Sequence, residues 1–179
     1  MTVPGLAPVV TPLAPPATGA VFAYAFPVDA LIKGLKFAGK IEYAEPLGLL
    51  LAASLAVDGW AAGATDWILP MPLSAQRLGE RGYNQATEIA RVLGRELGCP
   101  LAPFAAASRV RDTAPQTGLS RQARRLNVRG AFAAQTAVRG RRLLLVDDVI
   151  TTGATAAEIA RVLLRAGAAA VRVVAVARA

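Results

Sequence analysis

Two adjacent acids, Asp147 and Asp148, close an apolar run from Leu143 to Val146, and Val149, Ile150, Thr151, Thr152, Gly153, Ala154 and Thr155 follow them. Ionised carboxylates only accept hydrogen bonds, so this pair suits neutral hydroxyls such as the 2′- and 3′-hydroxyls of ribose, or a metal; a phosphate would be repelled. The loop after them has the opposite character. Threonine hydroxyls donate, the amides and dipole that open a helix favour an anion, and Gly153 lets the backbone turn closely around one. The stretch predicts a sugar-phosphate site, with hydroxyls at the strand end and phosphate at the helix start. The plainer reading is an acidic strand end before a capped helix, with Thr151 or Thr152 as N-cap. No Gly-Lys-Thr/Ser follows, which excludes a Walker A loop.

A second set of candidates lies upstream. Pro70, Met71, Pro72, Leu73 and Ser74 directly follow a short apolar run. Arg77 and Arg81 are four apart and on a helical turn share a face, where two guanidiniums clamp a diphosphate; alternatively Arg81 orders the Gly82 turn through carbonyl hydrogen bonds. Asn84 and Gln85 come next. Arg109, Arg111, Thr113, Gln116, Arg121, Arg124 and Arg125 fall in a polar stretch, 108–130, that reads as a long loop and a lid over the site. No aromatic residue lies between Phe104 and Phe132, so stacking on single-stranded bases has little support there.

Other chemistries are ruled out by residue type. Histidine is absent and Cys99 is the sole cysteine. An internal disulfide, a Cys/His zinc site and any Ser-His or Cys-His nucleophile are therefore excluded. The longest apolar run, Leu47 to Val57, is shorter than the ~20 residues of a membrane span. No start resembling a signal peptide is present, so the cytoplasm is the expected compartment. The net charge is +8 and unevenly distributed, −2 over residues 1–69 and +10 over residues 70–179. The basic part seeks an anion, either a polyphosphate or a nucleic-acid backbone, or it reflects arginine codon usage alone.

The elements that must hold these residues are legible in outline. Residues 1–19, with five prolines, read as an extended or disordered arm. Val21 to Phe26 reads as a strand closed by Pro27. Asp29 caps a helix carrying Leu31, Ile32 and Leu35, and a second helix spans Tyr43 to Ala56. Trp67 to Leu69 reads as a buried strand, Asn84 to Leu97 as a helix stopped by Gly98 and Pro100, and Leu101 to Ala106 as a further strand. Leu143 to Val146, Ala154 to Ala166 and Val171 to Val176 form a strand–helix–strand unit, which implies a parallel sheet. The fold class is α/β, with a small N-terminal hood at about residues 20–65 and a core at about 66–179.

LLLVDDVITTGAT resembles the phosphoribosyl-pyrophosphate motif of type I phosphoribosyltransferases. LPMPLSAQRLGERGYNQA (69–86), SRVRDTAPQTGLSRQARRLNVRGAF (108–132) and AYAFPVDALIKGLKFAGK (23–40) are similar to motifs of the ComF (competence protein F) family, so the resemblance covers roughly residues 20–179. It implies that Asp147 and Asp148 hold the ribose hydroxyls and that Thr151 to Thr155 hold the 5-phosphate. It makes Met71 to Ser74 a pyrophosphate loop, with Mg²⁺ carried on the substrate rather than ligated by the protein. Two departures stand out. Thr151 occupies the place where 6-oxopurine enzymes carry an aspartate that assists the base, which turns the reading away from purine salvage. The four-cysteine ribbon that opens many ComF members has no counterpart, so no zinc is expected.

Two functions follow from this resemblance. One is transfer of a phosphoribosyl group to an acceptor with release of pyrophosphate. The other is a non-catalytic ligand-binding component of DNA uptake that contacts single-stranded DNA and helicase-type or recombination-mediator proteins. A structural domain with a vestigial loop is the third reading. The acceptor stays open, as does the oligomeric state, a homo-oligomer among the options.

Overall fold

The computed structural model describes residues 18–57, 63–112 and 121–179. Its centre is a four-stranded parallel sheet. In chain order the elements are β1 (Thr18–Ala23), α1 (Val28–Phe37), α2 (Ala44–Val57), β2 (Trp67–Pro70), α3 (Ala75–Arg81), α4 (Gln85–Leu97), β3 (Ala107–Arg109), α5 (Arg121–Val128), β4 (Phe132–Ala134), β5 (Arg142–Ile150), α6 (Ala154–Arg165) and β6 (Ala170–Arg178). The sheet order is β1-β6-β5-β2, and β3 and β4 form a separate antiparallel pair.

Strand β5 is central and apolar on both faces, as a strand covered on both sides must be. Leu144 and Val146 enter one core layer with Ile32, Leu35, Leu47, Leu51, Ile89 and Leu93, contributed by α1, α2 and α4. Leu143 and Leu145 enter the other, with Phe132 and with Ile159 and Leu163 of α6. Side chains alternate across a strand. The parity set by these leucines therefore sends Asp148 toward the α1 layer and Asp147 toward the α6 layer.

Several expectations need correction. The first strand is Thr18–Ala23, earlier than Val21 to Phe26, because its register is set by pairing with β6 (Ala20 opposite Ala175). Pro27, not Asp29, takes the N-cap position of α1, while Asp29 sits in the first turn and pairs with Lys33 at 2.7 Å. Leu101 to Ala106 is no strand. Leu101 makes a single bridge to Ile68, a 3₁₀ turn follows at Phe104–Ala106, and the strand is Ala107–Arg109. Pro100 and Pro103 limit the ladder there, since proline has no amide to donate. The polar stretch 108–130 holds a helix, α5, at Arg121–Val128. Arg, Gln, Ala and Leu are good helix formers. Its end is fixed by Arg111, which donates to the Asn127 and Arg129 carbonyls, both at 2.8 Å. Thr113 and Gln116 lie outside the described residues, as does most of the proline-rich arm. No helix among the described residues is long and apolar enough to cross a membrane.

Candidate sugar-phosphate site

The carboxyl ends of β2 and β5 open onto one cavity of about 770 Å³. Its walls include Asp147 to Ala156, together with Met71, Pro72, Leu73, Arg77, Arg81, Gln85 and Arg109. The structure thus brings together most of the residues singled out in the sequence, where ligands bind in open parallel sheets.

The phosphate half is built from backbone. Gly153 has φ +74°, the left-handed conformation that side chains resist, and it occupies the N-cap position of α6 with no side chain capping the helix. Thr152 Oγ1 makes only a long contact with the Ala154 amide, 3.4 Å. The first residues of a 12-residue helix, Ala154 to Ala156, line the cavity, where the amides and dipole of a helix start favour an anion. The plainer reading of Thr151 or Thr152 as N-cap is not what the geometry shows.

The sugar half is the acidic pair, and it is asymmetric. Asp147 Oδ1 accepts the Asp148 amide at 2.9 Å, and Asp148 Oδ1 accepts the Val149 amide at 2.7 Å. Asp148 is buried, and its Oδ2 meets Lys36 Nζ at 2.7 Å. Asp147 keeps part of its surface toward the cavity but is ringed by protein. Burial first, and the Asp148 carboxylate second, hold the Asp147 carboxyl well above the usual carboxylate range, while Lys36 works the other way.

Lys36 was not among the sequence candidates. It sits at the end of α1, and only the packing of α1 over β5 brings it to the acids. Phe37 beside it is exposed at the cavity rim with the Arg81 guanidinium 5.8 Å from its ring centre. The single advance signal was that Lys36 lies in AYAFPVDALIKGLKFAGK, one of the stretches that carry the family resemblance.

The arginines divide by role. Arg77 and Arg81 both line the cavity from α3, but Arg81 donates to Gln85 Oε1 rather than to the Gly82 turn. Arg109 reaches the same cavity from β3, over the Phe132 ring at 5.5 Å. Burial, then the nearby Arg77 guanidinium, lower its pKa. Two further expected site residues cap helices. Ser74 is buried as the N-cap of α3, its hydroxyl accepting from the Arg77 amide at 3.4 Å. Asn84 caps α4 and donates to the Met71 carbonyl at 2.9 Å, so it shapes the 70–74 loop from behind.

Among the described residues no group of three or more Asp, Glu, Cys or His side chains converges to hold a metal. A pair of carboxylates with one oxygen covered by Lys36 fits a magnesium ion that arrives on a diphosphate, since Mg²⁺ commonly takes one or two carboxylates plus substrate phosphates.

A parallel sheet with an acidic strand end and a left-handed glycine turn at a helix start defines a class before it defines a protein. The phosphoribosyl transferase domain family matches residues 80–179, more than half of the chain. The chain is 41% identical over 152 residues to the DNA utilization protein YhgH of Escherichia coli (strain K12), covering 84% of this chain and 66% of that protein. It is 36% identical over 161 residues to competence protein F of Haemophilus influenzae, covering 87% of this chain and 70% of that one. A solved glutamine phosphoribosylpyrophosphate amidotransferase from Bacillus subtilis, complexed with ADP and GMP, superposes at TM-score 0.48 and 25% identity, over 73% of this chain and 25% of that chain. The chain belongs to the phosphoribosyl transferase domain family, and within it to the competence protein F group. It spans about two thirds of the length of the curated relatives it matches.

Proposed function

We propose that the chain binds phosphoribosyl pyrophosphate with Mg²⁺ and transfers the phosphoribosyl group to an acceptor, releasing pyrophosphate. One observation carries this reading: the acidic pair and the uncapped start of α6 open onto the same cavity as the 71–73 loop, Arg77 and Arg109. Asp147 and Asp148 accept from the ribose hydroxyls, and the amides and threonines of 151–155 hold the 5-phosphate. The 71–73 backbone with Arg77 and Arg109 receives the charge of the departing diphosphate. No protein nucleophile is needed. Positioning and electrostatic stabilisation supply the rate, and magnesium, when bound, neutralises the diphosphate. The reading assigns the protein to the cytoplasm.

Isothermal titration with phosphoribosyl pyrophosphate and Mg²⁺ tests binding, and a screen of nucleobases for pyrophosphate release tests turnover. Absence of heat at millimolar ligand rejects the reading. The family names favour a second reading, a non-catalytic ligand-binding component of DNA uptake that contacts single-stranded DNA and competence helicase or recombination-mediator proteins. It expects binding without pyrophosphate release. It also expects salt-sensitive binding of single-stranded DNA that survives Asp147→Asn/Asp148→Asn.

A further inference from the structure

The acceptor oxygens of the acidic pair are not equally available. The Oδ1 atoms of both acids are bonded to backbone amides. Asp148 Oδ2 is buried and accepts no hydrogen bond among the described residues; the Lys36 ammonium covers it at 2.7 Å, outside hydrogen-bond geometry. The one oxygen that Asp148 has left for a ribose hydroxyl is therefore held by charge alone. A buried acceptor in that condition is poorly satisfied, and a hydroxyl that supplies a directed bond competes well for it.

Lys36 also has somewhere to turn. Besides the main cavity it lines a smaller adjoining one of about 360 Å³, which shares Phe37, Arg77, Glu80 and Arg81 with the main cavity and adds Gly39 and Tyr83. A lysine on a flexible four-carbon stem reaches between two such spaces by side-chain rotation, without movement of α1. In the smaller cavity Arg77 and Arg81 face a single acid, Glu80. An added ammonium there leaves a clear excess of positive charge beside the exposed Phe37 ring.

We propose that Lys36 is a displaceable cation linking the two halves of the site. It covers Asp148 until a ribose diol takes that oxygen, then turns into the α1–α3 cavity and, with Arg77 and Arg81, holds an anionic second ligand. This rests on the sugar-phosphate reading of the site. Sugar and anion then bind with positive coupling, each tightening the other by the same factor.

The test is calorimetric titration of the full chain with inorganic pyrophosphate in the presence of Mg²⁺, with and without saturating ribose 5-phosphate. The wild type is expected to bind pyrophosphate about tenfold tighter when the sugar phosphate is present. Lys36→Met brings that ratio to about one, and Lys36→Arg retains most of it. A wild-type ratio that persists in Lys36→Met overturns the proposal, because a lysine with a purely structural role shifts both affinities together and leaves their ratio unchanged. A crystal structure of the wild type with ribose 5-phosphate needs no variant. Lys36 withdrawn from Asp148 supports the proposal, and Lys36 still 2.7 Å from Asp148 overturns it. Ribose 5-phosphate that fails to bind the wild type overturns the site reading and the proposal together; binding without coupling overturns the proposal alone.

Discussion

The Tyr83 hydroxyl donates to the backbone carbonyl of Leu35, which fastens the turn between α3 and α4 to the last turn of α1, one residue before Lys36. The ring packs against the core layer that α1 covers, and burial raises the phenol's pKa. The lysine that meets Asp148 is thus held at its base from across the cavity. Tyr83→Phe keeps the ring and removes the donor. The expected loss is about 1 kcal/mol of stability, read from the urea midpoint. An unchanged midpoint would show that the bond contributes nothing.

The acidic pair is predicted to dominate sugar affinity. Asp147→Asn and Asp148→Asn each remove a carboxyl acceptor, and a hydrogen bond contributes roughly 0.5–1.5 kcal/mol, or 1.5–3 kcal/mol where its acceptor is charged. Ribose 5-phosphate binding should weaken at least about tenfold in each variant, by calorimetry. Asp148→Asn carries a second effect, since it leaves the Lys36 ammonium without its partner. Wild-type affinity in both variants would show that the sugar hydroxyls bind elsewhere.

Gly153 is required for its conformation rather than for space. A Cβ placed there meets only Ile150 Cγ2, at 4.0 Å, yet φ is +74°. Gly153→Ala should therefore destabilise the fold by about 1–2 kcal/mol through backbone strain. It should also weaken inorganic phosphate binding as the turn relaxes away from the left-handed region. Denaturation and phosphate titration of one sample read both effects, and a variant as stable as the wild type would contradict the strain argument.

Away from the site, Asp66 joins the starts of β2 and β5. Its carboxylate takes the Arg142 amide and guanidinium, each at 2.7 Å. The hydrogen bond from the Arg142 side chain, followed by the one from its backbone, lowers the Asp66 pKa to about 2. A folded pKa below the unfolded value means that the contribution is fully present above about pH 4. It disappears as pH falls through about 2. Wild type and Asp66→Asn should differ in thermal midpoint at neutral pH and converge as pH falls from about 4 through about 2. A gap that stays constant on acidification would rule out this ion pair as its source.

Ser74 offers a check on the reassignment of the 70–74 loop. As N-cap of α3 its hydroxyl serves the Arg77 amide. Ser74→Ala should cost about 1 kcal/mol, measured by chemical denaturation. No loss would return the hydroxyl to the ligand-binding role first expected of it.

What the sequence could show was whatever is contiguous. The run from Leu143 to Thr155 spells a buried strand, an acidic end, a glycine turn and a helix start. Each depends on neighbours close in the chain, so apolar periodicity and turn chemistry were enough to place them. The helices Ala44–Val57 and Gln85–Leu97 were legible for the same reason. Helix α5 escaped because it is only eight residues long and set in a stretch rich in Arg, Gln, Thr and Gly, and the capping roles of Ser74 and Asn84 escaped because capping and ligand binding call for the same residue types. Folding alone decided that Arg109 arrives from β3 and that Lys36 arrives from α1 to meet the acids. Such meetings are set by the parallel register of β5 between β2 and β6 and by the packing of α1 over the sheet. No local pattern encodes a contact between residues so far apart in the chain, which is why the acidic strand end and its glycine turn were visible in the sequence and the counter-charge of the acids was not.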